Sequence, residues 1–321
     1  MIGVVKEDKS SSSATESRLR DEGRKESEAF FDFAASWVNK KILKEIYKPR
    51  LGHVKKYDFG LLLVIGGSEF YSGSPALSAL SAFRAGADMV RIIAPKRAAD
   101  IIASFKPDLA ALPLKGDWLT KEHLATLLTL TESAKAVANA KTAVVIGGGA
   151  GRSAETQDVI LEYLSQISVP AVIDADAIHA LAKNPQVIFG KPFLITPHTY
   201  EFFVLTKKEV YQLSDQEKIN IVKSEAERLK TTILLKGKID IISDGKEVAL
   251  NKTGSPFMSK GGTGDTLAGM AGAFLARGID LFTAAQAAAY INGLAGEIAG
   301  KKFGESMMAT DLIEAIPEVI K

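Results

Sequence analysis

The residues of this chain best suited to chemistry lie in one stretch, Lys260-Gly261-Gly262-Thr263-Gly264-Asp265-Thr266-Leu267-Ala268-Gly269. Three glycines in four positions precede an aspartate, which opens a small-residue run with the character of a helix. With no Cβ to block approach, such a turn can aim several backbone N–H groups at one point. The helix behind it adds partial positive charge at its N-terminus. The loop is therefore expected to hold an anion, most naturally a phosphate under transfer. Asp265, ionised with help from the helix dipole, is suited to take a proton from an attacking hydroxyl. The competing reading makes Asp265 a structural N-cap.

Other polar residues punctuate the chain in the same way. Gly66-Gly67-Ser68-Glu69-Phe70-Tyr71-Ser72-Gly73-Ser74-Pro75 can meet a ligand through backbone and hydroxyl groups. It lacks the Gly-Lys-Ser/Thr of a P-loop and does not match Gly-x-Gly-x-x-Gly. Gly147-Gly148-Gly149-Ala150-Gly151-Arg152 is either a close ligand approach or a tight turn, and Arg152 either pairs with phosphate or caps a surface loop. Asp174 and Asp176 flank a strand end, as helix N-caps or as carboxylates holding Mg²⁺ or water. In Thr196-Pro197-His198-Thr199-Tyr200-Glu201, His198 is the best histidine for substrate contact, and Glu201 has the place of a helix-dipole partner. His53, His123 and His179 read as surface or packing residues. Lys236, before Gly237, either neutralises phosphate charge or is an ordinary exposed lysine.

A scaffold must bring these residues together, and the hydrophobic pattern describes one. From Gly60 onward, continuous apolar runs alternate with helical patterns. The strands expected are Leu61–Ile65, Met89–Ala94, Thr142–Ile146, Ala171–Ile173, Phe193–Ile195 and Thr232–Leu235. Runs without alternation suit strands buried on both faces, and their alternation with helices suits a mostly parallel α/β sheet. Ile239–Ser243 and Glu247–Leu250 read as an antiparallel edge hairpin. Helices are expected over Pro75–Ala85, Asp265–Ala276, Thr283–Ala299 and Thr310–Ile320. The polar residues fall just after the strands, where open α/β sheets bind ligands.

The chain divides into 1–50, a polar tail with an amphipathic helix over about 27–47, and one domain over 51–321. The 321 residues include no cysteine, which excludes disulfides and thiolate chemistry, and only four scattered histidines. Net charge is +2 and 46% of residues are hydrophobic, so no strong field points to nucleic acid or a membrane surface. No apolar run reaches the ~18 residues that a membrane span needs, and the N-terminus has no secretory h-region. A cytoplasmic protein is the expectation.

In this order, the segments Val64–Pro75, Gly147–Arg152, Val172–Asp176, Thr196–Glu201, Leu234–Gly237, Gly254–Gly269 and Ala309–Pro317 resemble the NAD(P)H-hydrate dehydratase family of the ribokinase-like superfamily. The resemblance covers about 50–321. It implies a three-layer ribokinase-like α/β fold, a mostly parallel central sheet flanked by helices with an antiparallel edge hairpin. It also implies nucleotide-dependent dehydration of the S-epimer of hydrated NADH or NADPH (NADHX, NADPHX), with ADP favoured over ATP as co-substrate and Mg²⁺ as cofactor. Asp265 becomes catalytic base and substrate contact. Ser74, Gly151 and His198 become substrate-binding residues, and Lys236, Gly237, Gly262, Thr263 and Gly264 nucleotide-binding ones; no metal ligand is assigned. The chain has Ser74 where the family usually has Ala, Gly148 where it commonly has Pro, and Thr199-Tyr200 where it commonly has Pro-Gly.

Family members are often homo-oligomers and often fused to an N-terminal epimerase domain. The residues before Gly52 are too few for that domain, so epimerisation is expected on a separate protein, unless this chain is a fragment of a longer one. The alternatives are a ribokinase-like kinase of a small vitamin-precursor alcohol and a non-catalytic nucleotide-binding protein.

Overall fold

The structure, a computed structural model, describes residues 35–321. Ser36–Lys321 forms one compact unit. The strands are β1 (Ala35–Trp37), β2 (Leu61–Ile65), β3 (Met89–Pro95), β4 (Ala110–Leu114), β5 (Thr142–Ile146), β6 (Ala171–Ile173), β7 (Phe193–Ile195), β8 (Thr232–Leu235), β9 (Asp240–Ser243) and β10 (Val248–Asn251). The α-helices are α1 (Ile42–Ile46), α2 (Gly73–Arg84), α3 (Lys96–Phe105), α4 (Leu124–Val137), α5 (Ala154–Gln166), α6 (Asp176–Leu181), α7 (Thr199–Thr206), α8 (Asp215–Leu229), α9 (Thr263–Ala276), α10 (Leu281–Phe303) and α11 (Ala309–Ile320).

Among the described residues the strands form one ten-stranded sheet in the order β1-β10-β9-β8-β7-β6-β5-β2-β3-β4. The strands from β8 through β5 and β2 to β4 are parallel. β8, β9 and β10 are antiparallel. The parallel sheet and its antiparallel edge are as the sequence implies. Every residue of β2 and β5 is buried, because helices cover both faces. On one face Leu62, Val64, Val145, Val172 and Leu194 join Ala79, Phe274, Ala288 and Leu312 of the flanking helices. The alternate residues Leu61, Leu63, Ile65, Val144 and Ile146 point the other way and are equally buried. Each such side chain contributes about 2 kcal/mol of burial free energy.

The strand order reverses at one place. β2 pairs with β3 on one side and β5 on the other, both in parallel. Open α/β sheets form a ligand crevice beyond the carboxyl ends of strands at such a switch point. Here the loops after β2 and β5 meet, and the Gly67 N–H donates to the Gly148 carbonyl at 2.9 Å.

Several expectations are corrected. In place of one amphipathic helix over 27–47, the described part of that segment carries the strand Ala35–Trp37 and the five-residue helix Ile42–Ile46; residues 27–34 lie outside the described residues. The hydrophobic alternation marks no element between 95 and 141, yet β4, α3 and α4 lie there. Pro113 cannot donate to a ladder, and β4 tolerates it because it is the edge strand. α9 begins at Thr263, two residues before the expected start. Gly262 takes φ +100° at its N-cap, a conformation that suits glycine, so the helix starts inside the glycine loop. Asp265 is therefore the third helical residue, not the cap.

Candidate active site

Two long-range contacts set α9 against the switch point. The Ser78 hydroxyl of α2 donates to the Asp265 carbonyl at 2.9 Å. On the other side, buried Asn292 of α10 donates its amide to the Thr263 carbonyl at 3.2 Å and accepts from the Thr266 hydroxyl at 2.7 Å. The first i→i−4 bond of the helix runs from the Thr266 N–H to the Gly262 carbonyl at 3.1 Å. The earlier N–H groups of the turn thus have no intrahelical acceptor, and they are the donors an anion would meet. The Thr263 hydroxyl, donating to the Met258 carbonyl at 2.8 Å, secures the loop from below.

The Asp265 side chain projects to where the β2 and β5 loops cross. A Cβ on Gly148 would lie 3.0 Å from both Asp265 Oδ1 and Ser74 Cβ, so a larger residue here makes one of these neighbours give by a few tenths of an ångström. The Ser74 hydroxyl hydrogen-bonds the Asp265 carboxylate. Burial, and then the nearby Asp174 charge, push the Asp265 carboxyl up to about 7, against the opposing effects of Ser74 and Lys236. This corrects the expectation that the helix dipole keeps the acid simply ionised. Desolvation outweighs the dipole, and Asp265 titrates near neutrality, where a general base works best.

Beyond β6, β7 and β8 lies a second cluster. Lys236 donates to Asp174 Oδ1 at 2.9 Å, and Thr196 donates to the same oxygen at 2.8 Å. Glu201 Oε2 lies 3.8 Å from the Lys236 ammonium. Burial opposes the Lys236 charge, but Asp174 and Glu201 outweigh it and hold its pKa above the ordinary value. Burial raises the Glu201 pKa against the pull of Lys236. Lys236 is no exposed turn lysine: its backbone N–H binds the Pro197 carbonyl at 2.8 Å, and its ammonium lies 3.4 Å from where a Gly264 Cβ would sit. The cation stands directly under the anion loop. Gly237 closes this turn, its N–H bonded to Asp240 Oδ1 at 3.0 Å. Asp240 is half-buried, raised by desolvation to about 6, and also bonded by Asn251 at 3.0 Å.

His198 is the N-cap of α7. Its Nδ1 accepts from the N–H groups of Tyr200 and Glu201 at 3.1 and 3.3 Å. That places the ring proton on Nε2, 3.3 Å from Glu201 Oε1. The Glu201 carboxylate returns a bond to the His198 N–H at 2.9 Å, completing a capping box. A half-exposed ring edge is what His198 can offer a substrate. Glu201 is more than a dipole partner, since it joins this cap to Lys236. Gly151 lies further along the rim, its N–H bonded to Asp176 Oδ2 at 2.9 Å, with Arg152 Nε on Oδ1 at 2.6 Å. Neither Asp174 nor Asp176 caps α6; Ala175 occupies that position without a side-chain bond. His123 is a packing residue, its Nε2 3.0 Å from the Lys115 carbonyl.

The structure therefore gathers Asp265, Ser74, Gly264 and Lys236 at the switch point, with His198 joined to them through Glu201. Gly262 and Thr263 frame the loop, and Gly151 belongs to a neighbouring cleft. Asn292 and Gly148 carry structural weight that their residue types alone do not announce. The repeated glycines of α10 and the 147–149 run were the available signals. Among the described residues no group of three or more His, Asp or Glu side chains could hold a metal ion. The buried carboxylate Asp174 already binds the Lys236 ammonium. Among the described residues no helix is long and apolar enough to cross a membrane.

An anion loop at a helix start, with a carboxylate beside it at the switch point of a parallel sheet, gives this α/β protein a geometry suited to a phosphate group and to proton abstraction. A family model described as NAD(P)H-hydrate dehydratase matches residues 62–318, and the chain belongs to that family. It is 43% identical over 269 residues to the bifunctional NAD(P)H-hydrate repair enzyme of Pyrobaculum aerophilum, covering 83% of this chain and 52% of that one. It is 36% identical over 295 residues to the ADP-dependent (S)-NAD(P)H-hydrate dehydratase of Cenarchaeum symbiosum, covering 90% of this chain and 98% of that one. The chain thus spans about half the length of the bifunctional relatives it matches. Two solved structures share the fold. One is a ribokinase-like superfamily protein of Enterococcus faecalis, with TM-score 0.76 and 24% identity over 91% of this chain and 97% of that one. The other is the ADP/ATP-dependent NAD(P)H-hydrate dehydratase of Bacillus subtilis co-crystallised with ATP/Mg²⁺, with TM-score 0.73 and 23% identity over 90% of this chain and 98% of that one.

Proposed function

We propose that this chain dehydrates the S-epimer of hydrated NADH and NADPH, coupled to ADP. The observation that carries the reading is the Asp265 carboxyl, raised to about 7 and set beside the unbonded N–H groups of the α9 start. The names of the Pyrobaculum and Cenarchaeum relatives support the substrate, and the latter supports ADP.

Asp265 takes the proton of the ring hydroxyl, and that oxygen attacks the terminal phosphoryl group of ADP in line. The bond to the bridging oxygen breaks, AMP leaves, and the former hydroxyl carries the phosphate. The N–H groups of loop 261–264 and the Lys236 ammonium meet the negative charge that develops. Elimination then expels phosphate with its bonding electrons and a ring proton, leaving NADH or NADPH. Hydroxide is a poor leaving group near neutral pH and phosphate a good one, which is the physical reason for coupling to a nucleotide.

Gly262, Thr263, Gly264, Lys236 and Gly237 bind the nucleotide in this scheme, and Ser74, Gly151 and His198 contact the hydrated cofactor. Mg²⁺, if bound with the nucleotide, would neutralise charge on its phosphates beside the Lys236 ammonium. A cytoplasmic homo-oligomer belongs to the same proposal and rests on the family resemblance.

The test is to supply chemically hydrated NADH with ADP and ATP in separate reactions and follow the return of NADH absorbance. Recovery with ADP supports the reading. A stable phosphorylated product without recovery makes the chain a kinase, and nucleotide binding without turnover makes it a sensor.

A further inference from the structure

Beside the switch point lies a cleft of about 420 Å³, lined in part by Trp118, Gly151, Arg152, Ser153 and Glu155. Gly151 lets the indole rest on bare backbone, since a Cβ there would come within 2.5 Å of Trp118 Cζ3. Phe70, 75% exposed on the loop that carries Ser74, meets the indole edge-to-face at 5.6 Å. The cleft therefore offers a flat aromatic wall, a surface on which a heterocyclic base stacks.

Its charges are unequal. Asp176 holds both the Gly151 N–H and Arg152 Nε, so the guanidinium is already matched by a carboxylate. Glu155, in the first turn of α5, is exposed and has no ion-pair partner among the described residues. The α5 N-terminus, capped by Ser153 accepting from the Thr156 N–H at 3.1 Å, favours negative charge, and Glu155 already meets that preference. Beside an adenine-sized wall, an unpaired carboxylate accepts hydrogen bonds from a ribose diol and repels a 2′-phosphate; dinucleotide sites with free 2′-hydroxyls use an acid in this way. The distance fits as well. A Cβ on Gly148 would lie 3.0 Å from Asp265 Oδ1, and Gly151 is three residues on, at most about 10 Å of chain, within the span between the two rings of a dinucleotide.

We infer that this cleft receives the adenosine end of the hydrated dinucleotide and selects the free 2′-hydroxyl, so that the NADH hydrate is preferred over the NADPH hydrate. The inference rests on the dehydratase reading and adds a second anchoring point to it. Trp118 and Glu155 act on binding and selectivity, and they take no part in proton or phosphoryl transfer.

The chain has two tryptophans, so Trp37→Phe leaves Trp118 as the sole indole reporter. The full chain carrying that change is titrated with NADH and with NADPH. NADH should quench Trp118 and bind about tenfold more tightly than NADPH, the size of one like-charge contact near a protein surface. Glu155→Arg, at an exposed position, should reverse the preference. In turnover, the same substitution should change the ratio of KM values for the two hydrates and leave their kcat ratio unmoved. Equal affinities that Glu155→Arg does not alter, or no quenching by either ligand, overturn the inference. If both hydrates are turned over with ADP while Glu155→Arg moves no ratio, the cleft assignment falls and the dehydratase reading stands. If neither is turned over while NADH still quenches selectively, the dehydratase reading falls and the cleft stands as a dinucleotide site.

Discussion

Two neighbouring regions at the carboxyl ends of the strands treat their acids in opposite ways. Beyond β6, β7 and β8, Asp174 has a hydroxyl and an ammonium, and Glu201 has a backbone N–H, an imidazole and the same ammonium. Where the β2 and β5 loops cross, Asp265 has one hydroxyl bonded to it, and Asp174, Lys236 and Glu201 act on it only through their charge. The first arrangement fixes a cation under the anion loop. The second leaves a carboxylate under-solvated and ready to accept a proton. A site that moves protons needs both, because a base with too many partners loses basicity.

The sharpest test of this contrast removes the under-partnered acid. Asp265→Asn should lower turnover about 1,000-fold or more, the scale of a lost general base, while nucleotide affinity stays within a few-fold by calorimetry. Stability should move the other way. The folded pKa of about 7 stands above the unfolded value near ~3.9, so the folded state holds the extra proton and stability falls as pH rises between those values. The Asn variant should lack that slope, and its melting temperature should exceed the parent's at pH 8. Near-normal turnover would end the assignment.

Breaking the partnered region should cost stability first. Lys236→Met strands Asp174 and Glu201 without their cation, and urea unfolding at pH 7 should report a loss of about 3 kcal/mol. Part of it should return at pH 5, where Glu201, whose pKa burial already raises, takes up a proton.

Two smaller changes sharpen the comparison. Gly148→Ala pushes a methyl to 3.0 Å from Asp265 Oδ1 and should reduce kcat/KM about tenfold, the scale of a small displacement of a reacting group. Gly52→Ala, outside the site, meets nothing within 4 Å and should change kcat/KM less than about twofold, as an exposed loop position does. The smallest effect concerns pH. kcat/KM should rise through pH 7 to a plateau as Asp265 ionises. Ser74→Ala removes a hydrogen bond that favours the ionised form, so the midpoint should move to higher pH by less than about one unit. An unmoved midpoint would mean that the titrating group is not Asp265.

The sequence by itself determined the strands β2, β5, β6, β7 and β8 to the residue, because a doubly buried strand must be apolar throughout and its ends are marked by glycine or a polar side chain. It also determined the glycine loop and the acid that follows it, since both are local in the chain. Pro113 in an edge strand and the short edge strand β1 were not legible, because position in the sheet, and not local preference, decides them. Only the tertiary structure decided what the charges do. Lys236 and Asp174 are 62 residues apart, and Ser78 and Asp265 are 187 apart. Desolvation and Coulomb attraction act on distance through space, so the paired character of Asp174 and the near-neutral titration of Asp265 exist only once the loops have crossed.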